Sequence, residues 1–298
     1  MKFIRRSYAY IQYLMIRFAG MLFDLVPAAK AYNLGASVAR RLYPIFKNRR
    51  KVAVDNILLA GITADPHEAE RIARCAFAHL AGHICEALKV NQVINQNNWR
   101  EHVTLAISES SRHMLFDELD QPLIILTGHL GVWEAALSII SFTRPMIAIA
   151  RKMDNPLVER YLKDNHFRGE ITIVDKNKGF TPAIIRKWKE TAAAMTLVMD
   201  QHAGEKTGMD VDFLGRPAGT HTSPARLHLR TGIPAIVGAV IREAPFHYKF
   251  ISGEPIQFKT TDDKEHDVKA LLTMINQQLG DIIRDHPEQY LWAHKRWR

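Results

Sequence analysis

The sequence predicts an α/β fold: a mostly parallel central sheet flanked by helices, with a helical N-terminal part. Two observations carry this. From about residue 121, short apolar runs alternate with segments of helical periodicity. The runs are "LIILTG" from Leu123, "MIAIAR" from Met146, "ITIVD" from Ile171, "AMTLVMD" from Ala194 and "IPAIVGAVI" from Ile233. Such alternation reads as parallel strands joined by helices that cover both faces. Residues 1–110, by contrast, read as helical throughout.

The first segment, "MKFIRRSYAYIQYLMIRFAGMLFDLVPAAKAY", starts basic and carries "AKA" at 29–31, both features of a signal peptide. Arg17 and Asp24 interrupt it, however, and no uncharged run approaches the ~20 residues that span a bilayer. Ile11, Leu14, Met15, Phe18, Leu22, Leu25 and Val26 form a helical stripe. With Lys2, Arg5, Arg6 and Arg17, that stripe describes a helix lying in a membrane interface. Packing of the same stripe on the protein's own core is the open alternative. The run "KNRRK" at 47–51 would add attraction to anionic headgroups. The chain therefore divides into an interface helix, residues 1–30, and an α/β domain, residues 31–298.

Further elements follow from local signals. In "DPHEAERIARCAFAHLAGHICEAL", Asp65 is placed to cap a helix with Pro66 at its first position. Helical periodicity recurs near 138 and over 156–167, 178–190 and 224–231. "HYKFISGEPI" reads as an antiparallel edge strand, and residues 265–285 as a closing helix.

The net charge of +9 asks for an acidic partner: nucleic acid, anionic lipid or an acidic carrier protein. No zinc-finger spacing, RNP-like strand or basic heptad helix accompanies the charge, which ranks membrane and carrier above nucleic acid. Cys75 and Cys85 lie ten residues apart on one expected helix, roughly 15 Å at ~1.5 Å per residue, too far for a disulfide. That spacing suits a reducing compartment.

In open α/β sheets, ligands bind beyond the carboxyl ends of the strands. His129, Arg151 and Asp200 each fall at such an end, so distant residues can converge on one crevice. His129 and Glu134 would diverge on one continuous helix. They meet only if His129 lies in the turn and Glu134 in the first helical turn, a bend that Gly128 and Gly131 permit. A carboxylate on the imidazole fixes its tautomer and raises its basicity, fitting it to take a proton from an alcohol. A core histidine, with Glu134 as a helix N-terminal charge, stays open on spacing alone. There is no G-x-S-x-G elbow and no H-E-x-x-H or clustered Cys/His set. Direct transfer to a substrate hydroxyl, without metal or cofactor, fits better. Arg151 offers a planar fork for phosphate or an oxyanion, a structural salt bridge being the alternative. Ser223, before Pro224, marks a helix start where an anion could bind, although plain capping is the favoured reading. The tail "YLWAHKRWR" suits either an interface or packing on the core edge.

"GHLGVWE" resembles the H-x4-E motif of the late lipid A acyltransferases, the lauroyl and myristoyl transferases of lipid A biosynthesis. The resemblance extends through "RKVAVDNILLA", "ARKMDNPLVE", "MDQHAGEKTGMDVDFLGRPAGTHTSPARLHLRTGIPAIVG" and "HPEQYLWAHKRW", so it covers nearly the whole chain in order. Leu214 stands where the family usually shows a second phenylalanine. The resemblance implies a glycerolipid-acyltransferase-like sheet with His129 as general base, Glu134 as its partner, and Arg151 and Asp200 completing the site. Asn155 and Arg216, from the same blocks, join Ser223 as expected substrate-binding residues. It further implies an acyl-carrier-protein thioester as donor and a hydroxyl of a lipid A precursor as acceptor. The expected location is the cytoplasmic face of the cell inner membrane. Acylation of another membrane lipid, or use of acyl-CoA, is the runner-up. A non-catalytic lipid-binding protein on the same scaffold is the other; such a binder would not need both His129 and Glu134.

Overall fold

The computed structural model describes residues 2–150, 153–166, 169–175 and 180–297, with side chains for these apart from 2–7 and 162–166. Four long helices come first: α1 (Lys2–Asp24), α2 (Ala28–Leu42), α3 (Lys47–Leu59) and α4 (Pro66–Ala87). The α4 start is as expected, with Pro66 in the first turn and the Asp65 side chain accepting from the His67 N–H. A short α5 (Val90–Val93) leads to β1 (Val103–Ile107), α6 (Glu109–Arg112), β2 (Leu123–Thr127) and α7 (Trp133–Ser141). Then come β3 (Met146–Ala150), α8 (Pro156–His166), β4 (Ile171–Asp175), α9 (Pro182–Glu190) and β5 (Ala194–Val198). The chain continues through β6 (Gly208–Phe213), β7 (Arg216–His221), α10 (Ser223–Thr231), β8 (Ala235–Ala244), β9 (His247–Ser252) and α11 (Lys264–Asp285).

Seven strands form one sheet in the order β1-β9-β8-β2-β5-β3-β4. From β8 to β4 every neighbouring pair is parallel. Side chains alternate across a pleated strand, and β2 is apolar at both phases because both faces are covered. Leu123 and Ile125 pack in the cluster that contains Ile139 and Ile140 of α7. Ile124 and Leu126 pack in the opposite cluster, with Leu271 and Ile275 of α11.

Two expectations are corrected. Residues 1–110 are not wholly helical, because "VTLAI" forms β1. This five-residue strand sits at the sheet edge with Thr104 and Leu105 exposed, ahead of the strand–helix alternation that begins near residue 121. As a result β9 is not an edge strand. It pairs antiparallel with β8, as expected, but its other side pairs parallel with β1. The β6–β7 hairpin, which has its own two-stranded sheet, was also not foreseen. Its turn holds Leu214 and Gly215 at φ 56° and 82°, the positive-φ pair of a type I′ hairpin. Leu214 accepts that conformation while buried against Gly280 of α11.

The α1 stripe does not pack on the core. Ile11, Met15, Phe18, Met21 and Leu25 are between 55% and 79% exposed. The helix is held along one side only, where Gly20 gives room to the Tyr161 hydroxyl of α8 and Asn155 donates to the Ala9 carbonyl. At its end, the buried Lys89 ammonium binds the Asp24 carboxylate and carbonyl. Among the described residues no single helix is long and apolar enough to cross a membrane. Tyr8–Asp24 and Ala28–Ile45 reach that length and composition only as a pair, bent by 120°.

The helical layer is tied to the sheet by a buried ion pair. Glu86 of α4, 1% exposed, takes the Arg242 guanidinium through both oxygens at 2.9–3.1 Å and the Tyr248 hydroxyl at 3.0 Å. The guanidinium also lies 3.6 Å over the Tyr32 ring of α2. Arg242→Ala would leave Glu86 buried without its counter-ion. A loss of about 3–5 kcal/mol is expected, read as a lower denaturation midpoint at unchanged slope.

Candidate active site

Strand register brings the first two site residues together. β2 and β5 are parallel neighbours in which Thr127 pairs with Val198. His129 and Asp200 each lie two residues beyond their strand, so they face each other above the sheet. The imidazole Nδ1 donates to Asp200 Oδ1 at 2.9 Å, and the His129 backbone N–H donates to Oδ2 at 2.9 Å. One carboxylate therefore fixes both the ring and the backbone of the same residue. Gly128 allows this approach, since a Cβ there would stand 3.2 Å from the Asp200 carboxyl carbon.

The turn that carries His129 is gripped on several sides. Gly131 adopts φ +66°, and a Cβ there would meet the Val240 carbonyl oxygen at 2.0 Å. The Gly131 N–H donates to the Gln289 carbonyl and the Leu291 N–H to the His129 carbonyl, so residues 289–291 run alongside the turn. From the opposite side, His79 Nε2 lies 3.0 Å from the Gly131 carbonyl. That nitrogen must carry the proton, which leaves Nδ1 to accept from the Tyr32 hydroxyl at 3.2 Å. Burial pushes the His79 imidazole down to about 4, so it remains neutral at physiological pH.

Burial opposes charge on both members of the pair, and mutual attraction outweighs it. Asp200 is held below the usual carboxylate range although burial would raise it, because the His129 ring and N–H favour its charged form. Burial would lower His129, yet the Asp200 carboxylate, with a smaller effect from Glu134, lifts it above 6.5. With Nδ1 committed to Asp200, Nε2 is the working nitrogen. The ring is 22% exposed, and the Gln201 amide nitrogen lies 3.4 Å from Nε2.

This geometry corrects one expectation. His129 does lie in the turn and Glu134 in the first turn of α7, but the carboxylate on the imidazole is that of Asp200. Glu134 turns instead to His83 of α4, at 3.0 Å. Two intervals of strand register outweighed proximity in sequence. Arg151 lies outside the described residues. The three expected substrate-binding residues are not gathered at His129. The Asn155 amide is occupied by Ala9 and Gln12 of α1. Arg216 donates to the Leu59 carbonyl at 3.0 Å. Ser223 is the first residue of α10 rather than its cap; Thr222 holds the cap position and makes no side-chain cap bond. Ser223 lines a cavity of about 830 Å³ with Phe180, Arg226, Leu227 and Lys264, and neither His129 nor Asp200 borders it.

Sequence reasoning missed Tyr290, buried beside Asp200, whose ionisation is pushed far up by burial first and then by that carboxylate. It also missed Trp133, His79 and His83. The tail is a packed element: Tyr290, Trp292 and Arg296 are at most 4% exposed, and Asn56 of α3 holds the Trp292 and His294 carbonyls. The order H-x4-E, then the Asp200 block, then this tail is shared with one family. A family model described as bacterial lipid A biosynthesis acyltransferase matches residues 2–298. The chain belongs to that family. As a bacterial lipid A biosynthesis acyltransferase it is an enzyme of acyl transfer to lipid. The comparison with curated proteins returns no match. Among solved structures, the chain is similar to the 1-acyl-sn-glycerophosphate acyltransferase PlsC from Thermotoga maritima. Identity is 12% and the TM-score 0.36, over 89% of this chain and 97% of that one, a likeness that adds nothing to the assignment.

If His129 serves as the general base, activity should rise with pH through its raised value, because a base must be unprotonated. The acid limb of kcat/KM is therefore expected above 6.5, the ordinary histidine value. Asp200→Asn removes the carboxylate that raises it and the acceptor that sets the tautomer. The limb should move down and the plateau fall by roughly 10²–10⁴-fold, read from pH–rate profiles of both proteins.

Proposed function

We propose that this acyltransferase moves a fatty acyl chain from an acyl-carrier-protein thioester to a hydroxyl of a membrane glycolipid, a lipid A precursor. Transfer is direct, with His129 as general base. The observation that carries this reading is the His129–Asp200 pair: a raised imidazole, its Nδ1 fixed and its Nε2 free of any carboxylate, at the ends of two central strands.

The chemistry follows from that atom. Nε2 takes the acceptor hydroxyl proton as the oxygen attacks the thioester carbonyl carbon. The C–O bond forms, and the tetrahedral intermediate collapses with loss of the thiolate. The imidazolium, stabilised by Asp200, returns its proton to the leaving sulfur. No enzyme thiol is poised to intervene: Cys75 and Cys85 both lie on α4, and burial pushes the Cys85 thiol up, away from the reactive thiolate. The basic balance of +9 suits an acidic carrier and a phosphorylated acceptor alike. His129→Ala should lower turnover by about 10²–10⁴-fold while the denaturation midpoint stays near that of the parent. Intact-protein mass spectrometry after incubation with donor alone should show unmodified enzyme. A stoichiometric acyl adduct, or near-parental turnover of His129→Ala, would overturn the mechanism. Faster transfer from acyl-CoA than from the carrier would replace the donor.

The same reading places the protein on the cytoplasmic face of the inner membrane, lying in the surface rather than crossing it. The exposed stripe of α1 supports this, as does its attachment to the body along one side. Arg17 and Asp24 would each cost several kcal/mol near a bilayer centre. Deleting residues 1–24 should shift the protein towards the soluble fraction. It should also reduce activity on vesicle-embedded acceptor more than on detergent-dispersed acceptor. Equal loss on both would remove the membrane role of α1.

A further inference from the structure

Helix α4 offers two histidines one turn apart to the catalytic turn, and only His79 is explained by clamping Gly131. His83 is fully buried, 5.7 Å beneath the His79 ring and nearly parallel to it. Its Nε2 is 3.0 Å from Glu134 Oε2, within ion-pair reach but off the axis of a hydrogen bond. Among the described residues, neither His83 nitrogen nor Glu134 Oε2 has an aligned partner. An unmatched buried polar group is unfavourable. Stabilising the α7 N-terminus does not require one, because an acidic residue in the first turn does that in open solvent.

What the buried pair does touch is the base. The His83 ring lies edge-on to Trp133 at 4.2 Å, and Trp133 lies edge-on to His129 at 5.3 Å. Trp133 and Glu134 are consecutive in the first turn of α7, and both rest on His83. The Glu134 side chain is 38% exposed although Oε2 is enclosed.

Resting on the proposed base role of His129, we infer that His83 is a positioning residue for transfer, holding Glu134 as a second carboxylate beside the imidazolium that forms on His129. Asp200 supplies the hydrogen bond, and Glu134 supplies charge at a distance. The direction of its effect on His129 agrees. The benefit arises only once the ring has taken the proton, so it belongs to kcat and not to acceptor binding.

The full chain in detergent would be compared as parent, His83→Phe, His83→Gln, Glu134→Gln and the doubles. Phenylalanine keeps the ring between His79 and Trp133 and removes the nitrogens; glutamine returns an amide near the Nε2 position. His83→Phe should lower kcat by about 10- to 100-fold with acceptor KM within about twofold. His83→Gln should recover most of that loss. In the Glu134→Gln background, His83→Phe should cost less than about twofold more, since the positioned group is already gone. Losses that multiply in the double variant, a loss falling on KM, or parental kcat in His83→Phe would overturn the inference. Should His83→Phe not fold, the cycle is read with His83→Gln: a loss beyond about tenfold, or one that multiplies with Glu134→Gln, overturns it. His129→Ala, assayed alongside, separates the two readings. If it is inactive while the cycle multiplies, only the role of His83 fails; if it is active, the base itself fails.

Discussion

A fully buried carboxylate above the sheet organises the rest of the molecule. Asp200 must be ionised to hold His129, yet it lies where an isolated charge would be expelled or neutralised. It stays because the ring and backbone N–H of His129 converge on its two oxygens. That convergence requires the β2–β5 register, a glycine at 128 and the chain from 287 onward folded over the top. A one-residue slip between β2 and β5 would take His129 and Asp200 out of step and break the pair.

The second layer of constraint is the grip on the turn. Helix α4 reaches it through His79 and through His83, which contacts Glu134, and is itself pinned to the sheet by the Glu86–Arg242 pair. Packing of the helical layer and geometry of the His129 turn are thus one mechanical problem. A change near Arg242 acts on a turn that contacts Val240, two residues away on the same strand.

What could be read in advance follows from which signals are local. The parallel core was legible because buried strands are continuous apolar runs. His129 and Asp200 were legible as candidates because each follows such a run directly. Which carboxylate holds the imidazole was not legible: Glu134 is five residues away and invites the pairing, whereas Asp200 becomes adjacent only through inter-strand register. Tyr290 and His83 left no local mark, since a tyrosine in a tail and a histidine on an amphipathic helix are ordinary there. β1 escaped because it stands alone among helices, ahead of the strand–helix alternation that announced the others.

The contact of Leu291 with His129 also dictates an order of events. It closes a loop of more than 160 residues, and the entropic cost of that closure falls once the intervening sheet has formed. During synthesis, the exposed apolar face of α1 and α2 emerges with the first 42 residues. The catalytic turn receives its last clamp only when residues 289–291 arrive. A nascent chain therefore presents that apolar face well before the His129 turn is complete.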